Sequence, residues 1–165
     1  MSLSDRRSVL IALAATGLTA GCGFTPAYAP GGAGDRLRGQ LTTNPPYDKP
    51  SYAFVDRIET RLSRNDSAPY RLTFTVTYGY DGLAVSPDDS TYRYHLTGKL
   101  DYTVVDQASQ ATVTSGTVRN FVAYSALGTT VATAASTTNA QERLMIILAD
   151  QVVTELMATA QSWLP

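Results

Sequence analysis

The sequence predicts an α+β fold: a two-layer sandwich, with an antiparallel sheet of three or four strands carrying two helices on one face. Three observations predict it. Two long segments, Tyr70 to Tyr80 and Tyr92 to Val105, alternate strictly between apolar and polar residues, the period of a half-buried strand. A short amphipathic helix precedes them, and a long helical segment with a broad apolar arc closes the chain. Helix, strands, helix in that order leaves the helices to share one side of the sheet.

In chain order, Arg6 and Arg7 open a positively charged start, and Val9 to Ala20 is a short apolar run ending in small residues before Cys22. That is the form of a secretory leader over residues 1–21. The run is too short to cross a bilayer comfortably, and no second apolar segment of that kind is expected after it. A cysteine directly behind small residues is the form of a bacterial lipoprotein signal, which makes Cys22 the acylated first residue of the mature chain. Position 19 is Thr, where such signals usually carry Leu, Val or Ile. Asp5-Arg6-Arg7-Ser8-Val9-Leu10 also resembles a twin-arginine export signal, and ordinary leaders carry paired arginines too. Cys22 is the one cysteine, so no internal disulfide forms.

Residues 22–34, rich in Gly, Ala and Pro, read as a lipidated tether, and 35–165 as a single domain. Phe24 and Tyr28 are misplaced in a pure spacer, so the first part of the tether is expected to dock. Arg36 to Leu41 is a candidate short first strand, and the three prolines in Thr42 to Pro50 make a loop. Ser51 to Arg64 is the amphipathic helix, capped by Asp48 or Ser51, with Phe54, Ile58, Arg61 and Leu62 sharing one side and Val55 beside them. Asp56 and Glu59 read as solvated helix charges that answer Arg57 and Arg61.

On the first long strand Leu72, Phe74, Val76 and Tyr78 point inward, with Arg71 and a row of threonines outward. Asp81 to Thr91 is a loop. The next strand points Tyr94, Leu96, Leu100, Tyr102 and Val104 inward, and Arg93, His95, Thr97, Lys99 and Asp101 outward. Gly98 falls on the inward face, the mark of a bulge or a close contact. A turn at Asp106 to Gln110 leads to a third strand, Ala111 to Tyr124, with less regular patterning. Ser125 to Thr138 reads as a surface crossing, and Asn139 as the cap of a final helix over Ala140 to Trp163. Ile147 sits among that helix's polar residues and hints at a second contact partner.

The formal charge is −1, and removing Asp5, Arg6 and Arg7 with the leader takes it to −2, with no run of like charges. Nucleic-acid binding therefore has no electrostatic footprint. No Gly-rich phosphate loop, nucleophile elbow or metal-spaced Cys/His set occurs, so no catalytic residue, metal or cofactor is assigned. His95 is the lone candidate base, and Asp88-Asp89 reads as a solvated turn. What remains is the outward face, where Arg71, Arg93, His95 and Lys99 form a candidate cationic patch for an anionic lipid head group.

Cys22-Gly23-Phe24-Thr25-Pro26-Ala27-Tyr28 resembles the opening of the mature LptE lipoproteins. Arg93-Tyr94-His95-Leu96, Leu100 to Asp106, Ser115-Gly116 and Tyr124-Ser125 are similar to that family's central hairpin. Glu142-Arg143-Leu144 and Leu148 to Val153 are similar to its closing helix. The resemblance covers essentially the whole mature chain. It implies an outer-membrane lipoprotein, on the periplasmic side, that plugs an LptD-type β-barrel, assists its assembly and contacts lipopolysaccharide. Gly23 behind the cysteine fits outer-membrane sorting. Two other readings are an auxiliary lipoprotein adaptor of another envelope lipid-transport (ABC-type) system and an envelope enzyme built on His95.

Overall fold

A computed structural model describes residues 26–85, 91–125 and 130–164. The leader, Cys22, Phe24 and Asp88-Asp89 lie outside the described residues. Seven elements follow in order: α1 (Ala33–Leu37), β1 (Leu41–Thr43), α2 (Lys49–Leu62), β2 (Tyr70–Val85), β3 (Thr91–Asp106), β4 (Thr112–Ser125) and α3 (Thr130–Trp163).

The sheet runs β1-β2-β3-β4. The three long strands pair antiparallel as expected, while short β1 pairs parallel to the start of β2, so the sheet is mixed. The alternation fixes the faces. Leu72, Leu96, Leu100, Tyr102, Val104 and Val118 are buried beneath the helices with Phe54, Ile58, Leu62, Leu144, Leu148 and Leu156. Phe54 and Phe74 meet at 4.2 Å between ring centroids, which seats α2 on β2. Gly98 is inward because a Cβ there would stand 2.8 Å from Leu144 and 3.1 Å from Leu148 of α3. It is a close contact; the register runs through it without a bulge.

Several elements depart from the sequence reading, each for a local reason. Arg36 and Leu37 belong to a helical turn instead of a strand, with Leu37 fully buried and the Arg36 guanidinium donating to the Leu164 carbonyl at 3.3 Å. α2 starts two residues early because Asp48 and Ser51 act together. The Asp48 carboxylate accepts from the Ser51 N–H (2.7 Å), and the Ser51 hydroxyl accepts from the Asp48 N–H (2.9 Å). β2 continues to Val85 through a region expected to be loop.

The largest departure is α3, helical from Thr130 through what the sequence suggested was a crossing, so Asn139 lies inside the helix and caps nothing. Its threonines fit because their hydroxyls donate one turn back, Thr137 to Thr133 and Thr138 to Ala134. By length and composition alone α3 could cross a bilayer, which the sequence reading had not allowed for; here its apolar arc packs the core.

The two helices are also tied by charge. Asp150 accepts a two-pronged bond from Arg57 (2.9 Å each) and a third from Arg61 (2.8 Å). Arg57 and Arg61 thus answer the other helix, and not Asp56 or Glu59 on their own.

Candidate functional site

The face of the sheet away from the helices is built from the odd-numbered positions of β2, β3 and β4. Side chains alternate across a strand, so Thr73, Thr75 and Thr77 of β2 stand beside Thr97 and Thr103 of β3 and Ser115 and Thr117 of β4. Charge is set into this hydroxyl surface. Lys99 bonds Asp101 at 2.6 Å, and the Thr117 hydroxyl donates to the other oxygen of the same carboxylate. These two bonds, the lysine's foremost, hold the Asp101 carboxyl below its ordinary range. Arg119 is the cross-strand partner of Lys99.

One step further along, His95 lies against Phe121, ring centroids 4.9 Å apart, and Phe121 is 56% exposed. Gly79 leaves a gap between these side chains, since a Cβ there would meet the Thr97 hydroxyl at 2.5 Å. The result is a shallow trough of about 490 Å³ lined by Thr77, Gly79, Thr97, Lys99, Arg119 and Phe121. Exposed cations, hydroxyls and one aromatic ring in a trough can hold an anionic, hydroxyl-rich head group.

All four residues named from the sequence share this face, but they do not form one patch. Arg71 is level with Val105 and is bonded to Gln107 at 2.6 Å. From Val105 to Arg93 along β3 is about 40 Å at ~3.3 Å per residue. His95 and Lys99 flank the trough, Arg93 lies toward the hairpin end, and Arg71 sits at the opposite end of the sheet.

Arg119 and Phe121 were missed because β4 hides its alternation. Its inward positions include Gly116, over which the Tyr102 ring lies 2.7 Å from any Cβ, and Asn120, which takes the Phe121 N–H at 2.8 Å. Tyr102 crosses Gly116 to donate to Glu155 of α3 at 2.8 Å, and burial with that bond pushes its phenol well up. Among the described residues no three His, Cys, Asp or Glu side chains gather as metal ligands.

The expected tether is docked from Pro26 onward. The Tyr28 hydroxyl accepts from Arg61 at 2.6 and 3.2 Å, with the guanidinium 5.6 Å from the centre of its ring. The Gly34 N–H donates to the Ala27 carbonyl at 2.7 Å, and a Cβ at Gly34 would meet the Tyr28 ring at 2.7 Å.

No family model and no curated protein match the sequence. Solved structures do match the fold. A protein of Caulobacter crescentus described as a lipoprotein superposes with a TM-score of 0.62 at 19% identity, covering 76% of this chain and 93% of its own. Rare lipoprotein B of Shewanella oneidensis gives 0.54 at 16% identity, covering 74% and 94%. A minor lipoprotein of Acinetobacter baumannii gives 0.51 at 16%, covering 75% and 95%. At these identities the likeness is one of fold.

Proposed function

We propose that this chain is an envelope lipoprotein of the LptE type, anchored in the outer membrane on its periplasmic side through acylated Cys22. In this reading it seats inside an LptD-type β-barrel, assists that barrel's assembly and contacts lipopolysaccharide through the outer sheet face, with no reaction of its own. The observation that carries it is the docking of Tyr28 on Arg61. Tyr28 is six residue steps from Cys22, and an extended chain spans at most ~3.6 Å per residue. The folded body therefore stays within about 20 Å of its anchor. A body held that close suits a component seated in a membrane pore better than an adaptor reaching across the periplasm. A hydroxyl-rich, mildly cationic surface suits the polar lumen of a large barrel. The recurrence of the fold in lipoproteins, rare lipoprotein B among them, supports the same reading.

The test is affinity isolation of the tagged full-length chain from detergent-solubilised outer membranes. An LptD-type barrel is expected as the main co-purifying protein, and depletion of the chain should remove surface lipopolysaccharide. Recovery of other partners only, or a phospholipid-asymmetry defect with normal lipopolysaccharide, overturns the reading. A His95→Ala chain that loses all function while still bound to its barrel points to an enzyme instead.

A further inference from the structure

β4 ends the sheet and, among the described residues, is paired on one side only. It is 14 residues long, against three for β1 at the other end. Its free side can be read from two bonds. Arg143 donates to the Ala123 carbonyl at 3.3 Å, and the Phe121 N–H goes to its neighbour Asn120's side chain at 2.8 Å. Both groups therefore point away from β3, and strand alternation puts the N–H and C=O groups of Ser115, Thr117 and Arg119 on the same open side. Among the described residues these groups make no backbone bond outside the β3–β4 pairing. Long edges of this kind are normally covered or blunted.

α3 packs over the inner face of β4, burying Val118, and leaves the flank between helix and strand edge open. A groove of about 580 Å³ lies between them, walled by Thr117, Val118 and Arg119 of the strand and Ile147, Gln151 and Thr154 of the helix. Ile147 is a half-buried apolar residue in an otherwise polar row. The Gln151 side-chain oxygen is buried with no donor. Arg119 is exposed and makes no ion pair within 4 Å among the described residues, whereas Lys99 opposite it is held by Asp101. An edge strand facing a helix across an open groove is the arrangement in which extended peptides add to a sheet.

We infer that this groove receives an extended segment of a partner protein as a fifth strand beside β4. Its main chain pairs with Ser115, Thr117 and Arg119, an apolar side chain faces Ile147, and a neighbouring carboxylate on the outer face meets Arg119. A second copy of this chain fits less well. Two-fold pairing centred on Arg119 sets two guanidiniums opposite each other, and two α3 helices compete for one groove. The inference does not depend on which protein supplies the segment.

The experiment places photo-reactive side chains at Ile147 and at Thr154 of the full-length chain in its native envelope, and maps the crosslinks by mass spectrometry. The two positions are about 10 Å apart along α3, or about three residues of a strand. Both crosslinks are expected in one segment of one partner, about three residues apart. Thr117→Pro removes an edge N–H and the exposed side-chain bond to Asp101 but leaves the backbone ladder to β3 intact, so the chain should fold with its melting temperature within a few degrees while both crosslinks fall at least tenfold. Arg119→Glu should weaken them several-fold. Crosslinks to a second copy, to lipid alone, to unrelated segments, or persisting in Thr117→Pro overturn the inference, as does their absence.

Discussion

Gly98 and Gly79 lie on neighbouring strands one register step apart, and they look opposite ways. A Cβ added to Gly98 meets two leucines packed in the core, and one added to Gly79 meets a single threonine hydroxyl on an open surface. The same residue type thus serves to seal one face and to hollow the other. The inner face of the sheet is a problem of volume, solved by apolar packing. The outer face is a problem of what to offer, solved with hydroxyls, cations and a gap. Changes on the inner face should be read in stability, and changes on the outer face in binding.

The largest effect expected is from the inner face. Phe54→Ala removes a ring with no exposed surface that rests on Phe74, and should cost about 3–5 kcal/mol in urea unfolding. Next, Gly98→Val must displace Leu144 and Leu148, at about 1–3 kcal/mol. Gly79→Ala, its outward counterpart, should be neutral to within about 0.5 kcal/mol, because the threonine hydroxyl can turn aside. If the two glycine variants cost the same, the two faces do not differ as argued.

These predictions rest on the part of the fold most legible from sequence. β2 and β3 announce themselves because their inward positions are large and apolar and their outward ones polar, without exception from Leu72 to Tyr78. β4 does not, because the core reaches down to it with Tyr102 and leaves room only for Gly116. Arg119 and Phe121 were therefore invisible, although they line the trough together with Lys99. The extension of α3 was hidden for another reason. Its threonines, Ser136 and Asn139 have weak helix preference that the alanines between them only partly offset, and the hydroxyl bonds one turn back show how the threonines are accommodated. Local composition cannot see the helix partner either: Arg57 looked like surface charge and Arg61 shared the apolar side without a named partner, yet both bind Asp150 of a helix far along the chain.

That ion network gives an intermediate case. Asp150→Ala leaves two guanidiniums facing each other without their shared carboxylate, each about one-third exposed. The cost should be about 1 kcal/mol, read as a lower urea midpoint, and smaller in high salt. On the outer face, Lys99→Ala with Arg119→Ala should leave the unfolding free energy in urea within about 0.5 kcal/mol of wild type. Under the proposed function, retention on immobilised lipopolysaccharide should nevertheless fall several-fold. A large loss of stability with unchanged capture would reverse the roles of the two faces.

The smallest effect is a pH dependence confined to the outer face. Lys99 and Thr117 favour the ionised form of Asp101, so its carboxyl titrates lower in the folded chain than in the unfolded one. A group lowered in this way contributes stability above its unfolded value, near pH 4, and the contribution disappears as pH falls through the folded value. Wild type should therefore melt slightly above Asp101→Asn at neutral pH, with the gap closing below about pH 4. Asp106 is lowered too, by the Ser109 and Ala108 N–H groups of the β3–β4 turn, but it is present in both chains and cancels from the difference. Lys99→Ala in the Asp101→Asn background should then cost nothing more at any pH. A residual lysine contribution there would mean that the cation is held by something other than the carboxylate and is less free to meet a ligand than the trough requires.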